Sequence, residues 1–228
     1  MHLVGVDLGQ AKDFTAVSII ERMETIKPVA NAPDQLYTDP DKIIGMYRLM
    51  HLEQAPRETP YPEVVRRIKA IMQLPALLDR AKLIIDYTGV GRPVYDMMVE
   101  QGLRPATISI TNGEQIAEKS TGYNVPKQDI VAVIEVLLET KRFTYTNKLR
   151  IASRFEEQMR EYRVKITRNG RASFEALTED IHDDLVIAVA LPLWYAERTM
   201  GGMRDVRTKN EEKKAVYNPH DYLSRRGK

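Results

Sequence analysis

Apolar positions change their period several times along the chain. Leu3 to Val6 is a short apolar run with β-branched residues that stops at Asp7, the pattern of a buried strand. The turn GQAKDF follows, and Phe14 to Ile20 alternates as a second strand. Residues 27 to 41 carry prolines and read as a loop, and IIGMYRLMHLEQ, from Ile43, reads as a third strand. Three consecutive strands with short or loop connections predict an antiparallel meander.

The pattern then shifts toward helices. Pro62, followed by Val64, Val65, Ile68, Ile71 and Met72, marks an amphipathic helix with proline near its start. AKLIIDYTG is a buried strand running into glycine, Val94 to Gln101 a helix with Gly102 as its C-cap, and Pro105 to Ile110 a further strand. Residues 111 to 124 read as a polar loop. Pro126 opens the helix PKQDIVAVIEVLLETK, and another helix is expected from Asn147 to about Tyr162. YRVKITRNGRASFEA predicts a β-hairpin around Asn169-Gly170. A last helix is expected on Leu185 to Ala196, a run without charge that is too short to span a bilayer and is interrupted by Pro192. The whole predicts an α/β fold with a mixed central sheet, a three-strand meander followed by parallel strands, flanked by helices. Residues 1–197 form the expected domain, and 198–228 a charged tail expected to be flexible or ordered by a partner.

Composition narrows the chemistry. With 228 residues, 43% of them hydrophobic, the chain can bury a substantial core. It has no cysteine, which excludes disulfides, thiolate catalysis and cysteine–zinc sites. A net charge of +2 confines any nucleic-acid surface to a local patch. The start, MHLVGVDLGQ, lacks the features of a signal peptide, so the expectation is a cytosolic protein.

The informative residues are acids. Asp7 and Asp86 each end an apolar strand, and each is followed within three residues by glycine. Asp183 and Asp184 head the most apolar helix, and Asp180 shares a helical face with them. If the two strands lie side by side, both carboxylates emerge at one sheet edge, where open α/β sheets bind ligands. Carboxylates crowded together resist full ionisation, and a hard divalent cation is the simplest remedy. Magnesium and manganese favour such all-oxygen sites, and a pair of them can hold both the attacking and the leaving oxygen of a phosphodiester. Each acid also has a structural alternative: strand-end Asp caps turns, and Asp183 suits a helix N-cap.

VGVDLGQAKDFTAVSII, IIDYTGVGRPVYDMM and FEALTEDIHDDLVIAVAL, in this order, resemble the three acidic motifs of the nuclease domain of phage large terminases. PKQDIVAVIEVLLETKRFTY resembles that family's segment before its last helices, and the likeness runs from about Leu3 to Tyr195. The resemblance implies an RNase H-like fold and a metal-dependent endonuclease cleaving double-stranded viral DNA during packaging. It implies two Mg2+ or Mn2+ ions held by Asp7, Asp86, Asp183 and Asp184, leaving open which of the last two is the direct ligand. It places the protein in the cytoplasm of an infected or lysogenic host cell. Its implied partners are DNA, the portal or small terminase subunit, and an ATPase. This chain carries no GxxxxGK[ST] phosphate loop, so the expectation is an excised nuclease domain or a freestanding relative.

Basic residues supply candidate DNA contacts. Lys12 follows the first acidic motif, and Lys127 opens a helix beside a polar loop. Arg163, Lys165, Arg168 and Arg171 would line the expected hairpin as a phosphate-gripping ribbon. All six also read as ordinary surface cations, and His182, beside the acid pair, as a helix-start histidine. Gly89 and Gly91 read as a tight strand-to-helix turn. Rival functions are a Holliday-junction resolvase-like nuclease and a non-catalytic DNA-binding module of the same fold. An actin-like ATPase needs two such halves, more than 228 residues provide.

Overall fold

A computed structural model describes residues 1–9, 13–28, 38–169, 182–201 and 203–205. The order of elements is β1 (His2–Asp7), β2 (Ala16–Pro28), β3 (Thr38–Gln54), α1 (Tyr61–Met72), β4 (Ala81–Asp86), α2 (Gly91–Glu100) and β5 (Ala106–Thr111). Then follow β6 (Ala117–Lys119), β7 (Gly122–Pro126), α3 (Lys127–Glu139), β8 (Phe143–Thr144), α4 (Ala152–Asn169), α5 (Asp184–Thr199) and β9 (Met203–Asp205). The sheet runs β6-β7-β5-β4-β1-β2-β3-β8, with β9 also paired to β3. β1, β2 and β3 form the antiparallel meander, and β4 and β5 join β1 in parallel. This is the mixed sheet, a three-strand meander followed by parallel strands, expected from the sequence.

Strand alternation divides the core between the two faces of the sheet. Val4, Val6, Val17, Leu83 and Ile85 pack with α1 and α2. Leu3, Ala16, Ile20 and Ile84 pack with α3, α4 and α5. Asp7, two residues beyond Gly5, and Asp86, two beyond Ile84, therefore fall on the α5 side.

α5 is buried along nearly its whole length, so its seat on the sheet decides where its acids lie. Pro192 sits inside it without ending it, contrary to the expected interruption. A proline has no N–H for the carbonyl four residues earlier, and Ser18 Oγ of β2 donates to that carbonyl, Ala188 O, across 2.6 Å. Beside it, a Cβ on Gly5 would lie 2.1 Å from Ala188 O and 2.5 Å from Pro192 Cδ. Glycine at this point of β1 lets the kink-prone turn of the helix settle directly on the strand.

Four expectations are corrected. The polar loop at 111–124 contains the short hairpin β6–β7. The loop at 27–41 is partly strand, since β2 runs to Pro28 and β3 begins at Thr38. The helix expected from Asn147 starts at Ala152. The basic hairpin around Asn169-Gly170 does not have its first strand, because α4 stays helical through Asn169. Val164 and Ile166 mimic strand alternation, yet in the sequence Phe155, Met159, Tyr162 and Ile166 recur at helical spacing. Among the described residues no helix is long and apolar enough to cross a membrane.

Candidate active site

β1 and β4 are parallel neighbours in register from His2↔Ala81 to Val6↔Ile85. The next pair in that register is Asp7 beside Asp86, at the carboxyl ends of both strands. α5 brings the other two acids by matched lengths. Asp184 is one helical turn before Ala188, about 6 Å along the axis. Asp7 is two residues past Gly5, about 6.6 Å along the strand. With Ala188 seated on Gly5, the helix terminus and the strand terminus arrive at the same level.

The charges of Asp86, Asp183 and Asp184 all reach Asp7. The Asp7 carboxyl is pushed well above the ordinary carboxylate range, first by burial, then by the charges of Asp86, Asp183 and Asp184, with Lys127 opposing. Asp86 is also raised, mainly by burial, against the hydrogen bonds it accepts from Thr88. Those bonds run from Thr88 N (2.8 Å) and Thr88 Oγ1 (2.6 Å) to Asp86 Oδ1. Asp86 thus caps its turn as well as facing the cluster, and the two readings of this residue coexist. The same turn is closed by Gly91, where a Cβ would lie 2.5 Å from the Asp86 carbonyl oxygen.

Asp183 occupies the N-cap position of α5 but makes no side-chain cap bond. Its carboxylate instead pairs with Lys127 Nζ at 2.6 Å. Lys127 is the first residue of α3, after Pro126, and its charge also reaches Asp7 and Asp86. Asp184 is buried, with both oxygens occupied: Gln54 Nε2 donates to Oδ2 (2.6 Å) and Gln158 Nε2 to Oδ1 (3.2 Å). Gln158 Oε1 accepts from Leu185 N at 3.0 Å, so one amide orients the carboxylate and satisfies a free N–H of the α5 terminus. Burial raises the Asp184 carboxyl, and the two glutamines pull it back.

These glutamines escaped the sequence reading, since an isolated Gln carries no motif. Other candidates fare differently. Arg163, Lys165 and Arg168 lie on the second half of α4, whose side chains there are not described. Lys12, Arg171 and Asp180 fall outside the described residues. His182 is exposed next to Asp183. Among the described residues, no group of three or more His, Asp or Glu is placed so that it could hold a metal ion.

No protein-family model matches the chain, and no curated protein matches it. Solved structures do. The large terminase nuclease from thermophilic phage G20c aligns over 86% of this chain and 82% of that chain, at 16% identity and a TM-score of 0.46. The human cytomegalovirus terminase nuclease domain, soaked with Mn, aligns over 89% and 87%, at 12% identity and a TM-score of 0.42.

Proposed function

We propose that the protein is a divalent-metal-dependent endonuclease that hydrolyses phosphodiester bonds of double-stranded DNA, acting as the nuclease of a viral DNA-packaging terminase. What supports this reading is the register that sets Asp7 beside Asp86 at the strand ends, together with the charges of Asp86, Asp183 and Asp184 that reach Asp7. Asp86 and Asp184 are held by hydrogen bonds, and Asp183 by an ammonium. The donors are all oxygen, which suits Mg2+ or Mn2+.

Asp7, Asp86 and the Asp183–Asp184 pair would hold the metal. Bound there, divalent cations would supply Lewis-acid stabilisation of the attacking and leaving oxygens of a phosphodiester. The chain's own residues prepare that chemistry. β1 and β4 fix two carboxylates on adjacent rigid strands. Gln54 and Gln158 fix the plane of the Asp184 carboxylate. Lys127, paired with Asp183, offsets acid repulsion before metal arrives and supplies a positive charge for a phosphate afterwards.

Plasmid digestion with manganese, magnesium or EDTA, comparing wild type with Asp86→Ala, tests the reading. Cleavage with manganese that disappears in EDTA and in the variant supports it. Equal cleavage by Asp86→Ala, or robust cleavage in EDTA, sinks it.

A further inference from the structure

Arg57, Arg154, Phe14 and His182 form a second cluster beside the acids. The Arg57 guanidinium carbon lies 4.5 Å from the Phe14 ring centroid, and that of Arg154 lies 4.8 Å from it. His182 meets the same ring edge-on, at 5.6 Å between centroids. Arg57 Nη2 donates to His182 Nε2 across 2.9 Å. A guanidinium has no acceptor to offer, so Nε2 accepts and the imidazole proton sits on Nδ1. Arg57 and His182 are exposed, and Phe14 and Arg154 are half-buried.

Two guanidiniums drawn to one ring repel each other, and attraction to the ring offsets only part of that. Among the described residues neither has a carboxylate at ion-pair distance. The charge of Arg154 does reach Asp184, whose carboxyl it helps to lower. An anion between the arginines would relieve the repulsion.

Each member of the cluster is tied to a fixed point of the acid site. Phe14 is two residues before Ala16, the cross-strand partner of Asp7. Arg57 is three residues after Gln54, which holds Asp184. Arg154 is one helical turn before Gln158, the other amide on Asp184. His182 adjoins Asp183. Each of these four segments thus adjoins, holds or carries one of the acids and, a few residues away, contributes to the cationic cluster.

We propose that Arg57 and Arg154, stacked on Phe14, clamp a backbone phosphate of the bound DNA next to the one that is hydrolysed. The proposal rests on the nuclease reading and adds the residues that position the strand. Arginine presents a planar fork that matches phosphate oxygens, and the ring holds that fork in place before DNA arrives. Such contacts set register on the duplex and read no sequence. His182 fixes the outer guanidinium by occupying one of its donors.

The test is binding of a short fluorescent duplex of arbitrary sequence to the full chain in EDTA, by anisotropy across a salt series. Each lost phosphate contact makes the slope of log affinity against log salt shallower by about 0.9. Arg57→Gln, at an exposed position, should weaken binding, and Arg57→Gln with Arg154→Gln should remove one such step. Phe14→Leu should weaken binding while keeping both charges. The manganese-induced rise in melting temperature should match wild type in Arg57→Gln and Phe14→Leu, since both leave the acids and the Arg154 charge beside Asp184 in place. An unchanged salt slope in the double variant, with wild type binding DNA and cutting plasmid, overturns the clamp alone. A wild type that neither binds duplex nor cuts plasmid with manganese overturns the nuclease reading and the clamp with it.

Discussion

Ser18 and Ala188, 170 positions apart in the chain, are joined by a 2.6 Å hydrogen bond at the turn of α5 where Pro192 leaves a carbonyl without its helical partner. The bond belongs to packing, yet it governs chemistry, because Ala188 is one turn from Asp184. Ser18→Ala orphans a buried carbonyl and should cost about 1–3 kcal/mol. In a Pro192→Ala background the helix regains its own N–H donor, and Ser18→Ala should cost much less. Denaturant melts of the four proteins give the coupling directly; additive losses would show that the two groups do not compensate each other.

Gly5→Ala places a methyl group against Ala188 O and Pro192. Overpacking of this kind costs about 1–3 kcal/mol and lifts α5 off β1. Cleavage should fall further than stability does, because Asp183 and Asp184 move relative to Asp7. A variant that loses stability but keeps the turnover of its folded fraction would separate the helix seat from the site.

The acid cluster sets the pH response of the metal-free protein. Asp7 is raised in the folded state, so folding gains from its protonated form. That gain is complete below the unfolded carboxylate value and is lost as pH rises through the raised one. Glu53 acts oppositely: hydrogen bonds from His51 and Arg67 and the charge of Arg67 hold it down to about 2, from an ordinary 4.5. Its contribution is present above 4.5 and lost toward 2. Without metal, melting temperature should therefore rise on mild acidification from neutral pH, then fall in strong acid. Asp7→Asn should melt higher than wild type at neutral pH, flatten the upper limb and abolish cleavage. Unfolding of Asp7→Asn would instead make the aspartate structural.

Lys127 is paired with Asp183, and on the nuclease reading it would compete with a divalent cation for that carboxylate. Lys127→Met should lower the melting temperature in EDTA, since the acids then lack their ammonium. The rise produced by added manganese should be larger than in wild type, because metal binding no longer displaces an ion pair. A smaller rise would place Lys127 in support of the metal.

Gln54 and Gln158 orient Asp184. Replacing Gln158 with Met keeps most of its volume and removes both of its hydrogen bonds. A loss of about 10- to 100-fold in metal affinity or activity is expected for a partner of this kind. Calorimetric titration with manganese, alongside cleavage rates, reads the two effects separately.

The sheet was legible because its strands carry unbroken apolar runs ending at punctuating acids, as at Val6-Asp7 and Ile85-Asp86. The register of those strands, and so the meeting of their acids, follows from where the runs stop. The positions of Gln54, Arg57 and Arg154 were not legible, since each acts through a contact distant in sequence: Gln54 meets Asp184 across 130 positions. Lys127 could be picked out but not placed, because its position depends on how α3 leaves β7. The basic hairpin misled because Ile166 fits both periods, alternating with Val164 as in a strand and following Phe155, Met159 and Tyr162 at helical spacing, and the local turn signal at Asn169-Gly170 outweighed the helical one.

Near the far end of α5, Glu197 accepts from both outer guanidinium nitrogens of Arg142, at 2.9 and 2.6 Å, and from the Tyr47 hydroxyl at 2.5 Å. With Ser18 at the middle and Gln158 at the start, the helix is a beam on three supports: β3 and the β8 edge, then β2, then α4. Attached at its start, its middle and its far end, the helix carries its acids at a distance from the strand acids that is set by the whole sheet rather than by the loop before it.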